Sequence, residues 1–267
     1  MDYRGKWALV TGASAGIGQE FVRQLAESGA NVVMVARRED RLKELSALLD
    51  SHGTKTIPLA ADLSDPDAPE SIVAFLEEQG INIDILINNA GFGLPGKYIS
   101  TSWAEQEKYL QLMVSAYAEL THRLLERMQA RGYGRVINVA SVAGLVPPAA
   151  GHTLYGPSKS FLVSFSQALA AEYNDTDINV SALCPGFTYT EFHDVNNTRE
   201  QLNKMPDFMM MQVGETVSGA LKAVEKAHTV YVPGLQYKFL VWLTGILPRA
   251  WAERIVRGSG KNYRDSQ

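Results

Sequence analysis

Short apolar runs alternate with amphipathic helical patterns from Trp7 to Val232, and this alternation constrains the fold more than any other feature of the chain. Runs such as Asn31–Ala36 (NVVMVA) are rich in β-branched residues and apolar after the first position, which is typical of strands buried on both faces of a parallel sheet. No linker rich in Pro, Gly or Ser and no internal repeat interrupts the series. The pattern predicts a single α/β domain over residues 1–267, with a doubly wound parallel sheet of about seven strands and helices on both faces.

The predicted strands are Trp7–Thr11, Asn31–Ala36, Lys55–Ala60, Ile83–Asn88, Arg135–Ala140, Asn179–Cys184 and Val230–Val232. The predicted helices are Ile17–Ser28, Glu39–Leu49, Asp67–Gln79, a long pattern from a capping box at Ser102 and Glu105 to about Gly132, Leu154–Tyr173 and Glu215–Ala227. Residues 187–213 form the longest irregular stretch, which favours a substrate lid over a simple connector. Residues 236–267 form an apolar and basic tail, which Pro248 is expected to break into two pieces.

Composition excludes several classes of protein. The chain has 267 residues and a net charge of −4 without a basic block, so it lacks the electrostatic signature of a nucleic-acid-binding protein. Its one cysteine, Cys184, excludes an internal disulfide and a CxxC metal site, and is expected to be a small buried hydrophobe. The N-terminus has no signal-peptide pattern, and the longest mostly apolar run, Phe239–Leu247, is too short to span a membrane. A cytoplasmic location is therefore expected.

A glycine-rich turn, Thr11–Gly18 (TGASAGIG), lies between the first predicted strand and helix. Glycines let a backbone turn tightly against a pyrophosphate, and a helix N-terminus favours that anion. A turn selected only for packing is the alternative. The glycine spacing differs from G-x-G-x-x-G and resembles the TGxxxGxG turn of the short-chain dehydrogenase/reductase family.

Other landmarks resemble that family in the same order along the chain. Asp62-Leu63 resembles its adenine contact, and Asn88–Gly91 (NNAG) its fourth-strand signature. Ser141 with Tyr155 and Lys159 resembles its catalytic Ser and YxxxK pair, and Pro185–Thr190 (PGFTYT) the PGxxxT turn that holds the nicotinamide. The resemblance implies a Rossmann-type oxidoreductase that moves a hydride between a nicotinamide cofactor and a carbonyl/alcohol pair. It implies these cofactor-binding residues: Gly12, Ser14, Gly16, Ile17, Gly18, Arg37, Asp62, Leu63, Asn88, Asn89, Ala90, Gly91, Tyr155, Lys159, Pro185, Gly186, Thr188 and Thr190.

The spacing of Tyr155 and Lys159 supports acid–base chemistry independently of the resemblance. Residues four apart share one face of a helix, and Pro157 is tolerated if the helix begins close to Tyr155. Lowering a tyrosine pKa from about 10 to about 7 requires roughly 4 kcal/mol. One ammonium at about 4 Å supplies an interaction of that order at an effective dielectric constant near 20. Tyr155 is thus the candidate acid/base, and Ser141 the candidate hydrogen-bond donor to the substrate oxygen. By resemblance, Lys159 also holds the nicotinamide ribose.

The end of the second predicted strand bears on the choice of cofactor. It reads Ala36-Arg37-Arg38, with no carboxylate before Glu39. An acidic residue there accepts hydrogen bonds from the ribose hydroxyls of NAD, whereas an arginine can donate two parallel hydrogen bonds to the 2′-phosphate of NADP. The sequence therefore favours NADP(H) through Arg37. Arg37 as a plain surface charge, and Arg38 as a solvated partner of Glu39 or Asp40, remain the alternatives.

Two positions depart from the family pattern. Met113 stands where many relatives carry an asparagine that kinks the long helix and helps to anchor a water in the proton relay, and the Ser141–Tyr155 interval is one residue longer than is common. The extra residue lies in the loop 147–152, where an insertion is tolerated. If the relay depends on the asparagine side chain, the alternative function is a catalytically silent nucleotide-binding sensor or scaffold.

Apolar residues are expected around the reacting carbon, which favours an apolar ketone or secondary alcohol as the substrate. They are Phe92, Leu94, Val142, Leu145, Val146, Phe187, Phe208, Met209, Met210 and Met211. The alternative for the methionines is packing of the lid onto the body of the domain. His152 is either a polar contact for substrate or simply solvated.

The tail mixes large apolar residues with basic ones, as in Trp242, Trp251, Arg249 and Arg254. Such a composition suits a helix at a membrane surface. Docking across the protein's own substrate cleft or in a subunit interface is the other interpretation. Family resemblance implies a homodimer or homotetramer.

Overall fold

The computed structural model describes residues 1–50, 53–94, 96–148, 153–188 and 206–260, except for the side chains of Asp207 and of residues 255–260. Thr190, His152 and residues 189–205 of the expected lid lie outside this description. In the described ranges no helix combines the length and the apolar character that crossing a membrane requires.

Seven parallel strands form one sheet in the order β3-β2-β1-β4-β5-β6-β7. They are β1 (Trp7–Thr11), β2 (Asn31–Ala36), β3 (Thr56–Ala60), β4 (Ile85–Asn88), β5 (Gly134–Val139), β6 (Ile178–Leu183) and β7 (Val230–Tyr231). The predicted doubly wound α/β fold is therefore confirmed. The strand order reverses between β1 and β4, and a crevice opens at such a point beyond the carboxyl ends of the strands.

Nine α-helices are described. They are α1 (Gly16–Glu27), α2 (Glu39–Leu49), α3 (Ala68–Glu78), α4 (Trp103–Leu110), α5 (Ala116–Arg131), α6 (Tyr155–Glu172), α7 (Val213–Glu225), α8 (Leu235–Ile246) and α9 (Arg249–Gly260). The predicted capping box begins α4: the Ser102 hydroxyl accepts from the Glu105 amide, and the Glu105 carboxylate accepts from the Ser102 amide at 3.0 Å. The long helical pattern predicted up to about Gly132 is confirmed from Trp103 to Arg131, and a π-helical turn, Gln111–Ser115, lies within it between α4 and α5.

The sheet is covered on both faces, which explains why its strands are continuously apolar. On one face, α1, α2 and α7 bury side chains such as Phe21, Leu42 and Val217. On the other, α3 and α5 bury Ile72 and Leu120. These layers hold the carboxyl ends of β1, β4 and β5 in fixed positions, and the predicted functional motifs follow those three ends.

Candidate active site

The glycine-rich turn after β1 is shaped to approach an anion closely. Gly12 and Gly16 have positive φ values of 65° and 57°. A Cβ on Gly18 would lie 2.2 Å from the Gly12 carbonyl oxygen, so only glycine fits there. The first turn of α1 carries no acidic side chain, and its N-cap, Ala15, makes no side-chain hydrogen bond. The positive end of α1 is therefore free of a competing carboxylate, which fits a pyrophosphate group.

The NNAG segment after β4 fixes the shape of that turn. The Asn89 side-chain amide donates to the carbonyl oxygens of Thr11 (2.9 Å) and Gly12 (3.3 Å). The Thr11 hydroxyl oxygen accepts from the backbone amides of Asn89 (2.8 Å) and Ala90 (3.0 Å). The two predicted cofactor motifs thus form one hydrogen-bonded unit at the reversal point of the sheet.

Asn88 has a different place from the rest of its motif. Its side chain is fully buried and donates to the Asn138 side-chain oxygen at 2.9 Å and to the Thr121 hydroxyl at 3.0 Å. This side chain therefore ties β4 to β5 and α5 inside the domain. Asn89 is partly buried at the turn, and Gly91 is exposed.

The two arginines after β2 are both exposed. The Arg38 guanidinium donates to the Ser14 hydroxyl at 3.1 Å and so reaches the glycine-rich turn. After β3, the Asp62 carboxylate accepts from the amide and hydroxyl of Ser64. Arg38, for which the sequence left a role in doubt, is the arginine with a contact to the predicted phosphate site.

Ser141 follows β5 and caps a short 3-10 turn, Val142–Gly144. Its hydroxyl oxygen accepts from the Ala143 amide at 3.1 Å, and the hydroxyl donates to the Pro185 carbonyl at 3.5 Å. Tyr155 is the first residue of α6, so Pro157 falls in the first helical turn, as predicted.

Lys159 lies one turn further along α6 with its ammonium in the protein interior. Its Nζ donates to the Val139 carbonyl at the end of β5 at 2.7 Å. The same atom lies 5.8 Å from the centre of the Tyr155 ring and 5.8 Å from the centre of the Tyr117 ring. Tyr155 and Lys159 thus share one face of α6, as their spacing predicted.

Gly144 allows the 3-10 turn after Ser141 to pack against α6, the helix that carries Tyr155 and Lys159. A Cβ on Gly144 would lie 2.6 Å from the backbone carbonyl carbon of Lys159, so any larger residue would push the turn and α6 apart. Sequence reasoning did not single out this glycine. Its position three residues after Ser141 was the available signal.

Burial lowers the pKa of Lys159 from its ordinary 10.5 to about 7. The charged form is disfavoured because only 4% of the residue is exposed to water. A phenolate at Tyr155 would favour the ammonium, and reciprocally the ammonium favours the phenolate. The charge states of the two groups are therefore linked through this contact.

The pKa of Lys159 predicts how stability depends on pH. Between pH 7 and 10.5 the unfolded chain holds a proton on this lysine that the folded protein has released, so the free energy of unfolding rises with pH. The slope is at most about 1.4 kcal/mol per pH unit. Urea unfolding of the cofactor-free protein between pH 7 and 9.5 measures it. We expect Lys159→Met to remove this contribution; an unchanged slope in the variant would contradict the assignment.

Met113, the departure from the family's asparagine, lies in the π-helical turn between α4 and α5. It is fully buried, and a Cβ on Gly91 would lie 2.9 Å from its sulfur. The helix therefore contains a π-helical turn at this place without an asparagine, and the thioether packs against the end of the NNAG segment. In the following turn, the Tyr117 hydroxyl donates to the Ala90 carbonyl at 2.9 Å and holds the same segment.

Tyr237 of α8 is a site residue that sequence reasoning missed. Its hydroxyl accepts from the Phe187 amide at 2.9 Å and donates to the Met209 carbonyl at 2.7 Å. Its ring covers Gly186, where a Cβ would lie 2.0 Å from a ring carbon. Since the Pro185 carbonyl accepts from the Val142 amide at 3.0 Å, the Pro-Gly turn is held between the serine turn and α8. No local pattern indicates a contact across fifty residues.

The described ends of the lid segment lie against this part of α8. Met211 is buried with Val142 and Tyr237, and its amide donates to the Phe187 carbonyl at 2.9 Å. The packing interpretation thus holds for Met211, while Phe208 is 70% exposed. Leu240 and Val241 also pack into this cluster, so α8 docks over the expected substrate side of the protein's own domain.

Replacing Tyr237 with phenylalanine should loosen the Pro-Gly turn. Loss of the hydroxyl leaves the Phe187 amide and the Met209 carbonyl without this partner, which costs about 1–3 kcal/mol for a buried group. We expect a lower thermal midpoint and a severalfold higher KM for the nicotinamide cofactor. Tyr231→Phe on β7 is the matched control, and equal effects of both variants would count against a positioning role for Tyr237.

The comparison with known families agrees with this geometry. The profile of the family described as short chain dehydrogenase matches residues 6–201. The chain belongs to the short-chain dehydrogenase/reductase family. It is accordingly an oxidoreductase that acts on alcohol or carbonyl groups with a nicotinamide cofactor.

Two curated relatives show the extent of the similarity. A short chain dehydrogenase from Pseudocercospora fijiensis is 35% identical over 86% of this chain and 73% of its own length. The 17-beta-hydroxysteroid dehydrogenase type 3 of Rattus norvegicus is 31% identical over 85% of this chain and 74% of its own length.

Solved structures extend the comparison to nearly the whole chain. A short-chain dehydrogenase from Sphingobium yanoikuyae in complex with NADPH is 31% identical, with a TM-score of 0.79 over 92% of this chain and 97% of its own. The bulky-bulky ketone specific alcohol dehydrogenase from Comamonas testosteroni is 28% identical, with a TM-score of 0.74 over 98% of this chain and 96% of its own.

Proposed function

We propose that this oxidoreductase uses NADP(H) and interconverts an apolar ketone with its secondary alcohol, working as a carbonyl reductase when NADPH is in excess. The observation that carries the proposal is the buried Lys159 ammonium, held between the Val139 carbonyl and the Tyr155 ring beside the Ser141 turn. A bound nicotinamide supplies the hydride for reduction and accepts it in the oxidation. The chain's own residues bind, orient and move the proton.

Tyr155 is the acid–base group in this proposal. Its phenol donates a proton to the carbonyl oxygen during reduction and takes one from the alcohol during oxidation. When Lys159 is protonated, its positive charge lowers the free-energy cost of the phenolate, because the ammonium is buried and weakly screened and Tyr155 is only partly exposed. The Ser141 hydroxyl donates to the same substrate oxygen and stabilises the charge that develops on it.

The cofactor would occupy the crevice at the reversal point of the sheet. The glycine-rich turn and the N-terminus of α1 would hold the pyrophosphate, and the Pro185-Gly186 turn would hold the nicotinamide end. Asp62 and Leu63 would contact the adenine. The fixed geometry of Gly12, Thr11 and Asn89 supports this placement, because the cradle is built by hydrogen bonds within the chain itself.

The proposal of an apolar substrate rests on the side chains around the site. Val142, Met211 and Tyr237 form a buried apolar cluster, with Val146 and Phe187 packed against it. A site with this lining favours bulky hydrocarbon over sugars or charged acids. The steroid and bulky-ketone substrates named for two of the relatives agree with this chemistry.

A catalytically silent cofactor-binding protein is the competing hypothesis, favoured only by Met113. Incubation of the protein with NADPH and a panel of apolar ketones separates the two. We expect wild type to consume NADPH, and Tyr155→Phe to lose at least about a hundredfold in kcat while NADPH binding, followed by tryptophan quenching, stays within a few-fold. Wild-type protein that binds NADPH but catalyses neither the reduction of a ketone nor the oxidation of an alcohol would support the silent alternative.

Preference for NADP(H) is tested at the end of β2. A guanidinium on a phosphate makes a charge-assisted hydrogen bond, so its loss should raise the KM for NADPH about tenfold with little effect on NADH. We expect this for Arg37→Ala and for Arg38→Ala, whose guanidinium already contacts Ser14. Lys43→Ala, an exposed cation of α2, is the control. Equal changes in the KM for NADPH and NADH would reject the preference.

A further inference from the structure

The helix α8 has an outer face that its own domain does not cover. Its inner face, with Tyr237, Leu240 and Val241, packs on the substrate side. The outer face carries large apolar side chains at intervals of four, three and four residues, which places them along one stripe. They are Leu235, Phe239, Trp242 and Ile246, and each is between 57% and 80% exposed.

The stripe has an aromatic centre, and the next helix carries a further exposed aromatic ring. The rings of Phe239 and Trp242 lie 5.8 Å apart, and Trp251 in the first turn of α9 is 68% exposed. Removing large apolar side chains of this kind from water is favourable. Contiguous exposure of this extent marks an interaction surface. We call Leu235, Phe239, Trp242, Ile246 and Trp251 the outer stripe.

The charge around the outer stripe is opposite to that of the whole protein. Lys238, Arg249 and Arg254 are exposed there, and Glu253 is the one acidic residue between positions 235 and 254. In sequence, residues 235–267 carry six basic and two acidic residues, whereas the whole chain has a net charge of −4. In sequence, residues 235–267 thus carry a net charge of +4 and residues 1–234 a net charge of −8.

We propose that the outer stripe and its flanking cations dock on an anionic lipid surface, with α8 lying parallel to it. A face that combines aromatic and aliphatic side chains with exposed cations matches the boundary between headgroups and acyl chains of such a surface. A second copy of this chain fits less well. A two-fold contact would bring the same patch of each copy together and oppose cation to cation.

The position of α8 gives this docking a consequence for the reaction. Tyr237 on the inner face holds Phe187 and Met209, which belong to the described ends of the expected lid segment. A docked α8 would therefore place the apolar side of the active site next to the lipid, and an apolar substrate could enter without crossing water. This consequence rests on the proposed function, while the docking itself does not.

Cosedimentation of the full-length protein with lipid vesicles tests the docking. We expect binding to phosphatidylcholine vesicles that contain about one-quarter phosphatidylserine, and much weaker binding to phosphatidylcholine alone. The double variant F239Q/W242Q should weaken binding at least tenfold, because it removes the aromatic centre of the stripe. The variant K238Q/R249Q should weaken it about fivefold for each cation, and salt at about 0.5 M should weaken the wild type likewise.

The controls distinguish docking through the outer stripe from nonspecific binding to vesicles and from effects on catalysis. The double variant I99Q/W103Q removes two exposed apolar residues far from the tail in sequence and should bind as wild type does. Turnover of a water-soluble ketone without vesicles should be the same for F239Q/W242Q and wild type, so loss of the proposed activity is detected separately. No binding to anionic vesicles, or equal binding by F239Q/W242Q, overturns the proposal. The proposal is also overturned if the wild type does not bind vesicles but forms a concentration-dependent dimer that F239Q/W242Q abolishes.

Discussion

The buried ammonium of Lys159 is the interaction on which the arrangement of the site depends. A charge so far from water is costly unless the fold brings it an acceptor, and here the acceptor is the Val139 carbonyl at the carboxyl end of β5. That contact requires the first turn of α6 to lie close against the strand, which Gly144 permits by having no side chain. One packing requirement therefore brings the phenol of Tyr155, the ammonium and the Ser141 turn together.

The crevice beside it is built mainly from backbone and small side chains. Thr11 and Asn89 join the ends of β1 and β4, so the shape of the glycine-rich turn is set by the sheet rather than by a ligand. Such preorganisation lowers the ordering cost of binding. It also explains why a buried, structural residue such as Asn88 belongs to the same motif as residues that face the crevice.

Much of the fold and of the candidate site could be predicted because their signals are local. The bounds of β1, β2 and α2 follow from apolar runs and periodicity, and the pairing of Tyr155 with Lys159 follows from helical spacing. The contacts of Tyr237 could not be predicted, since they join α8 to a turn fifty residues away, and nothing in either segment encodes the other. The hydrogen bond from Arg38 to Ser14 depends on the direction of the arginine side chain at the start of α2, which the sequence pattern does not predict. Gly144 was overlooked because its role becomes evident only with the position of α6.

The π-helical turn at Met113 shows how a departure from the family pattern can preserve the local geometry. An asparagine is one way to interrupt a helix, because its side chain competes for backbone hydrogen bonds. Here the α-helical hydrogen-bond pattern changes to a π turn within one continuous helix, and such turns are frequent at functional sites. The buried thioether then fills the space beside Gly91, where a polar group would need a hydrogen-bond partner. Any polar contribution of position 113 to the site must therefore come from its main-chain carbonyl, so the substitution of methionine for asparagine does not by itself remove the chemistry of the pair on α6.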